Sequence, residues 1–421
     1  SVASRGLGDV YKRQDQPEPG RLLAWRDSIT HKRDDSSQVD WARGAGIDVV
    51  RGVGKLVGER EVEVDGRRLH ATEAVVLATG SDASIPPIPG LVDAAPWTSR
   101  DATNLVEIPA RIAVLGGGVV ACEAATWLAE LGSVVTMVVR GHSLLPSMEP
   151  FVGERVSSGL RERGVDIRFG TTFGSVARPE VDDTGYGRVH GGPAVVELAD
   201  HAGNVTDRLE VDEILVAAGR RPRTVGVGLD ALGIDPKAEL DVDDHLNVAG
   251  HEWLYAVGDV NGRAPLTHMG KYQARIAGDV IAARAEGRSL DGERYLATAD
   301  HAAVPQVVFT EPQVGSVGLT ERGARDAGID VVTSELDIEV AGSALARENY
   351  RGHAVLVIDR ARNVLVGATF VGPDIAELVH SATVAVVGEV PVERLWHAVP
   401  SYPTISEIWL RLLENLRGKQ S

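Results

Sequence analysis

The sequence predicts an α/β fold organised around one strand–turn–helix unit, with an α+β block near its C-terminus. Three observations carry this expectation. Arg111–Leu115 is an apolar strand closing on Gly116-Gly117-Gly118-Val119-Val120-Ala121, and an apolar helix runs on from there to Leu131. A second apolar run, Val134–Val139, follows in the order a βαβ unit requires. Beyond residue 300, short strands alternate with helices. The turn is a G-x-G-x-x-A pattern of the dinucleotide-binding kind. Gly116 permits the tight bend and Gly118 lets a pyrophosphate approach the backbone. Ala121 permits close helix–strand packing, and the helix N-terminus faces the phosphates.

Taken along the chain, residues 1–14 have no periodicity, and 1–20 read as a non-native or disordered tail. Leu22–Asp40 reads as a polar helix, and Ile47–Val57 and Arg60–Val64 as strands of a small sheet. Glu73–Ser81 reads as a buried strand closing on glycine. The Pro-rich Ile85–Gly90 is a linker that cannot be helical. Gly174–Asp207 alternates with turn residues and suggests an antiparallel meander, and Asp212–Gly219 is another buried strand. Trp253–Val260 is a strand that runs into a Gly-Asp turn, with the helix Gly270–Ala285 after it. The last block carries strands Gln306–Phe309, Ala354–Asp359 and Val364–Phe370. Its helices are Thr320–Ala327, Ile375–Gly388 and Ile405–Arg417. The expected domains are 21–104, 105–224, 225–300 and 301–421.

The end of the second apolar run selects between dinucleotides. An acid there holds a ribose 2′-hydroxyl, whereas an arginine accommodates a 2′-phosphate. The chain reads Val138-Val139-Arg140-Gly141-His142, with no acid before Glu149. Arg140, with His142 near it, points to NADPH, and NADH is the second choice. The other reading of Arg140 is an ordinary solvated residue at a strand end.

A chain of 421 residues is too long for one core. Its net charge of −17 argues against a sequence-independent grip on nucleic acid. No apolar run has the length of a membrane span, and a soluble cytoplasmic protein is expected. No metal-ligand set is apparent. Cys122 is the only cysteine, so no intrachain disulfide can form. It reads as a small packed residue in the helix after the glycine turn, not as a reactive thiol.

Five motifs then occur in one order: ATGS at 78–81, GGGVVACE at 116–123, AAGRRPRT at 217–224, YAVGDV at 255–260 and VVFTEPQVGSVGLTE at 307–321. Together they resemble the FAD-dependent pyridine nucleotide–disulfide oxidoreductases, the family of dihydrolipoamide dehydrogenase, glutathione reductase and mercuric reductase, over residues 20–418. The resemblance implies two Rossmann-like nucleotide-binding domains, the FAD one incomplete, plus a C-terminal α+β dimerisation domain, and hence a homodimer. It assigns Ala78, Thr79, Gly80, Gly258 and Asp259 to the FAD site, with Asp259 serving the ribityl chain. The segment around Met269 would face the flavin ring through its backbone. Gly116, Gly118 and Ala121 fall to the NAD(P) side, Gly219 of the AAGRRPRT motif is a further cofactor-binding residue, and Glu123 lies where the family places a residue near the nicotinamide.

Two departures stand beside these matches. The family opens with a first G-x-G-x-x-G unit and a C-x-x-x-x-C redox pair, and neither is present. The chain therefore reads as a reductase without its leading segment. Near the C-terminus the family motif H-P-x-x-S-E is Tyr402-Pro403-Thr404-Ile405-Ser406-Glu407, with tyrosine in the place of the acid–base histidine. Tyr402 is a poor base at neutral pH but can donate a hydrogen bond; Glu407 would orient it. His397 lies five residues too early.

The expected function is electron transfer from NAD(P)H, NADPH favoured, through FAD to a small-molecule, disulfide-like acceptor. The alternatives are an NADPH–quinone (diaphorase-type) reductase and a catalytically silent dimer-forming fragment.

Overall fold

The computed structural model describes residues 18–182 and 184–420. The tail expected over 1–20 therefore lies mostly outside the described residues. The chain divides into two compact units, each assembled from separate stretches of sequence.

Among the described residues, the first unit comprises 83–219 and 302–420. Its nucleotide-binding half is a four-stranded parallel sheet in the order Glu213–Val216, Arg111–Leu115, Val134–Val139, Asp166–Phe169. Strands buried on both faces read as continuous apolar runs. That explains why Ile112, Ala113, Val114, Met137, Val138, Ile214 and Leu215 are fully buried. The expected meander forms as three antiparallel strands, Thr172–Ala177, Ala194–Ala199 and Val205–Val211, with Ala194–Ala199 in the middle.

The C-terminal half is a five-stranded antiparallel sheet in the order Pro305–Val308, Gln313–Gly318, Val364–Gly372, His353–Asp359, Val331–Asp337. The helix Leu378–Val387 packs on it so closely that a Cβ on Gly315 would collide with the Val379 side chain. Phe370, Leu378, Val379, Ile408 and Leu412 share that core. The helix expected over Ile405–Arg417 is a short 3-10 turn, Ile405–Glu407, running into Ile408–Gln420. Thr320 caps Glu321–Asp326 by accepting the Gly323 N–H at 3.0 Å.

The second unit, residues 18–82 and 220–301, departs most from expectation. The single helix expected over Leu22–Asp40 is broken into Pro19–Ile29 and Ser36–Gly44. His31, Lys32 and Arg33 between them take positive φ, and neither helix buries a residue, so no packing sustains a continuous helix. The strand expected over Ile47–Val57 shrinks to Gly54–Gly58, which pairs with Glu61–Val64. The strand expected over Glu73–Ser81 is only Val75–Leu77. It lies at the edge of a three-stranded sheet beside His251–Ala256, and Val76 is 42% exposed, so the expected full burial is corrected. The helix expected to start at Gly270 starts at Thr267 and runs to Ala285.

Candidate functional site

The glycine turn is built by its flanking strands. Gly116 donates to the Val138 carbonyl and the neighbouring Ala217 N–H donates to Leu115, which locks the turn at the C-terminal end of the parallel sheet. Gly116 has φ +135, and a Cβ there would press into the Ala217 carbonyl oxygen, so only glycine fits. Gly118 is the N-cap of the helix Val119–Glu130 and has open space around it. Ala121 is fully buried against the sheet. The first N–H groups of a helix have no intrahelical partner. With no side chain over Gly118, this end is a cradle that fits a dinucleotide pyrophosphate.

The Gly117 carbonyl accepts the Leu145 N–H at 2.8 Å, which draws the connection after Val134–Val139 over the turn. Arg140 and His142 lie exposed on that connection. Glu149, the first acid after them, is buried, and its carboxylate accepts the Glu321 N–H at 2.7 Å. Burial raises its pKa, a push that the Glu321 bond opposes. That bond takes up one of its oxygens inside the fold. Gly219 is exposed, with φ +130, and accepts the Ser84 N–H.

Glu123 projects from the glycine-turn helix and accepts the Phe309 N–H at 2.8 Å. Burial raises its pKa, and the Phe309 bond acts in the opposite direction. Cys122 beside it is fully buried, its thiol faces the Gly117 carbonyl at 3.6 Å, and burial pushes its pKa up to about 12.

In the second unit, the Gly-Asp turn is clamped by a residue that sequence reading passed over. Gln273, with no exposed surface, accepts the Gly258 N–H at 2.7 Å and the Asn261 amide at 3.0 Å. Its own amide donates to Asp300 at 2.8 Å. Arg263 reaches Asp300 at 3.3 Å and Asp244 at 2.7 Å. The signal in the sequence is a glutamine within the apolar stripe Met269, Ile276, Ala277 and Val280 of one helix. The backbones of Gly258 and Gly270 nearly touch, since a Cβ on Gly270 would lie 3.2 Å from the Gly258 Cα. Met269 is buried in the first turn of that helix.

Asp259 Oδ2 accepts the Ser81 hydroxyl and lies 3.8 Å from Arg220 Nε. Arg220 also donates to the Ser81 hydroxyl and carbonyl, each at 2.7 Å. Both contacts fall on one carboxylate oxygen. Thr79 donates its hydroxyl to the Arg223 carbonyl, while Ala78 is exposed and Gly80 takes φ +76. These residues fit the sugar-alcohol portion of a flavin nucleotide.

At the C-terminus, Tyr402 is 77% exposed. Glu407 is buried and accepts Arg411 at 2.9 Å through Oε1, while its Oε2 has no partner among the described residues. The two side chains are not hydrogen-bonded to each other, and His397 is exposed.

The sequence pattern of the pyridine nucleotide-disulphide oxidoreductases matches residues 8–277, and that of the family's dimerisation domain matches residues 304–412. The chain belongs to this family of FAD-dependent oxidoreductases. It is 28% identical to a mercuric reductase of Staphylococcus aureus, covering 92% of this chain and 66% of that protein. It is 32% identical to a dihydrolipoyl dehydrogenase of Thermus scotoductus, covering 94% of this chain and 81% of the relative. The fold matches the HOCl-induced flavoprotein disulfide reductase RclA of Escherichia coli with a TM-score of 0.77 at 22% identity, covering 98% and 89% of the two chains. The chain thus spans just under two thirds of the mercuric reductase's length. Among the described residues, no helix is long and apolar enough to cross a membrane.

Proposed function

We propose that the protein is a flavin-dependent oxidoreductase that takes electrons from NADPH in preference to NADH and works as a homodimer in the cytoplasm. The observation that carries this reading is the glycine turn of Gly116 and Gly118 with the Arg140 connection drawn over it by the Leu145–Gly117 bond. A guanidinium there gives a 2′-phosphate a charge-assisted partner, and the first acid after it along the chain, Glu149, is buried and bound to the Glu321 N–H. The cytoplasmic setting rests on composition alone.

A bound flavin would accept hydride from the nicotinamide and pass electrons to an acceptor. Asp259, Gly258 and Thr79 would hold its sugar-alcohol chain, and Gln273 fixes the turn that presents them. The half-buried Glu123 would lie beside the nicotinamide, its orientation set by the Phe309 N–H. A disulfide-like acceptor follows from kinship with disulfide reductases. Cys122 favours a second reading, reduction of a quinone directly from the flavin, because the chain's only thiol is buried and held protonated.

The homodimer reading rests on the dimerisation-domain match and on exposed apolar side chains in that region. Val384 is 56% exposed, Val387 60% and Val399 84%.

Steady-state oxidation of NADPH and NADH by the FAD-supplemented protein tests the reading, with a benzoquinone and a small disulfide as acceptors. NADPH oxidation dependent on added FAD is expected. A protein that neither binds FAD by its visible absorbance nor oxidises either nucleotide would be the silent dimer-forming fragment.

A further inference from the structure

A third side chain, His201, joins Arg140 and His142 from a part of the chain about sixty residues away. The antiparallel register pairs Ala199 with Thr172, so the hairpin after Ala194–Ala199 runs beside the turn that ends in Gly170. Gly170 in turn donates to the Gly141 carbonyl at 3.0 Å, and Thr171 donates to Val139 at 3.2 Å. The connection carrying Arg140, the Gly170 turn and the hairpin carrying His201 are thereby stitched together.

The imidazoles of His142 and His201 lie with their ring centroids 6.0 Å apart. One point, where a Cβ on Gly170 would sit, is 3.9 Å from His142 Nδ1 and 4.0 Å from His201 Nε2. The two imidazoles therefore flank the same glycine turn, with no side chain from residue 170 between them. Arg140, His142 and His201 are all exposed, and none forms a hydrogen bond or ion pair among the described residues. The neighbouring acid, Asp200, is occupied within its own hairpin turn. Its carboxylate accepts the Ala202 and Asn204 N–H groups, each at 2.9 Å, and the Asn204 amide at 3.0 Å. On the adjacent strand, Arg168 is paired with Asp166 and Asp207.

We propose that His201, brought in by the meander hairpin, is a specificity-determining contact for the 2′-phosphate of NADPH, acting with Arg140 and His142. The inference rests on the NADPH reading above. A phosphate monoester presents three acceptor oxygens, and two exposed imidazoles flanking one turn can each offer it a ring N–H. The meander then contributes directly to selectivity as well as covering the parallel sheet. His201 lies outside the glycine turn and the strand-end rule that point to Arg140, so only the strand register reveals it.

Isothermal titration of the full chain with adenosine 2′,5′-bisphosphate and with 5′-AMP tests this. The wild type should bind the bisphosphate more tightly. His201→Ala should weaken the bisphosphate about fivefold, the scale of one exposed charge-assisted contact, and leave 5′-AMP unchanged. His201→Lys, which restores a cation, should recover most of the loss. If the wild type binds the two ligands equally, the NADPH reading fails and this inference fails with it. If Arg140→Ala abolishes the preference while His201→Ala retains it, the NADPH reading stands and the role of His201 is overturned. Equal weakening of both ligands by His201→Ala would also overturn it, as that result marks His201 as a support of the loop.

Discussion

Glu123, on the helix that starts at the glycine turn, accepts the backbone N–H of Phe309, 186 residues away, at 2.8 Å. The bond joins the dinucleotide-binding half of the first unit to the edge strand of its antiparallel sheet. A residue placed by kinship near the nicotinamide is thus also a tie between two layers of the fold. Glu123→Gln keeps an acceptor oxygen and should alter stability little. Glu123→Ala removes it and should cost about 0.5–1.5 kcal/mol in denaturant unfolding. Equal effects of the two substitutions would show that the carboxylate charge, and not the acceptor, holds Phe309.

Arg140 offers the sharpest test of nucleotide choice. Arg140→Glu replaces a phosphate partner with a carboxylate able to accept a ribose hydroxyl. A charge-assisted contact contributes about 1.5–3 kcal/mol, so the NADPH/NADH ratio of kcat/KM should fall roughly tenfold or more. An unchanged ratio would reduce Arg140 to a solvated strand end.

His190 predicts a pH dependence of stability. Its Nδ1 lies 2.8 Å from the Ala95 carbonyl and its Nε2 3.2 Å from that of Gly185. Carbonyl oxygens only accept, so satisfying both contacts requires a proton on each ring nitrogen, the imidazolium form. Burial opposes that charge, but the two carbonyls, with Glu213 and Asp101 nearby, raise the pKa above the ordinary imidazole value. A raised folded-state pKa stabilises the fold below the unfolded value, about 6.5, and the contribution is lost as pH rises through the folded value. Urea midpoints should therefore fall from pH 6 to pH 9 in the wild type, and His190→Ala should be less stable throughout with a flatter profile.

The neighbouring pair, Arg178 and Glu213, is fully buried at 2.7 Å. Glu213 also accepts the N–H groups of His190 and Ile214. Removing one partner leaves a buried charge uncompensated, so Glu213→Ala should cost about 3–5 kcal/mol by denaturant unfolding. A loss below 1 kcal/mol would mean that water reaches the site.

Tyr402 and Val399 test the dimer. Both are exposed in the single chain, so Tyr402→Ala and Val399→Ala should each change its intrinsic stability by no more than about 0.5 kcal/mol. In a homodimer built on this surface they should weaken self-association, read by sedimentation equilibrium. A wild type that sediments as a monomer at micromolar concentration removes the dimer reading.

The glycine turn, the meander and the C-terminal sheet were legible because each rests on a local period or a turn residue. The apolar runs of the parallel sheet announce themselves, and Gly116 needs a backbone that only glycine supplies. The N-terminal stretch misleads for the same reason in reverse. Ile47, Val49, Val50 and Val53 spell a strand, yet all four are exposed and no described strand pairs with them. Contacts set by register across long separations were invisible: Phe309 on Glu123, Glu149 capping the helix at Glu321, and His201 beside His142. Gln273 left only a faint mark, one polar residue in an apolar stripe, and its role emerges once the Gly258 turn is seen to lean on it.

Cys122 has a practical consequence. The chain's single sulfhydryl is sealed beneath the glycine turn, so alkylating dyes and spin labels should leave the native protein unmodified. A cysteine introduced at an exposed position, such as residue 201 or 399, would then be the sole point of attachment. The movement of either loop on nucleotide addition could be followed with one reporter, without first engineering a cysteine-free background.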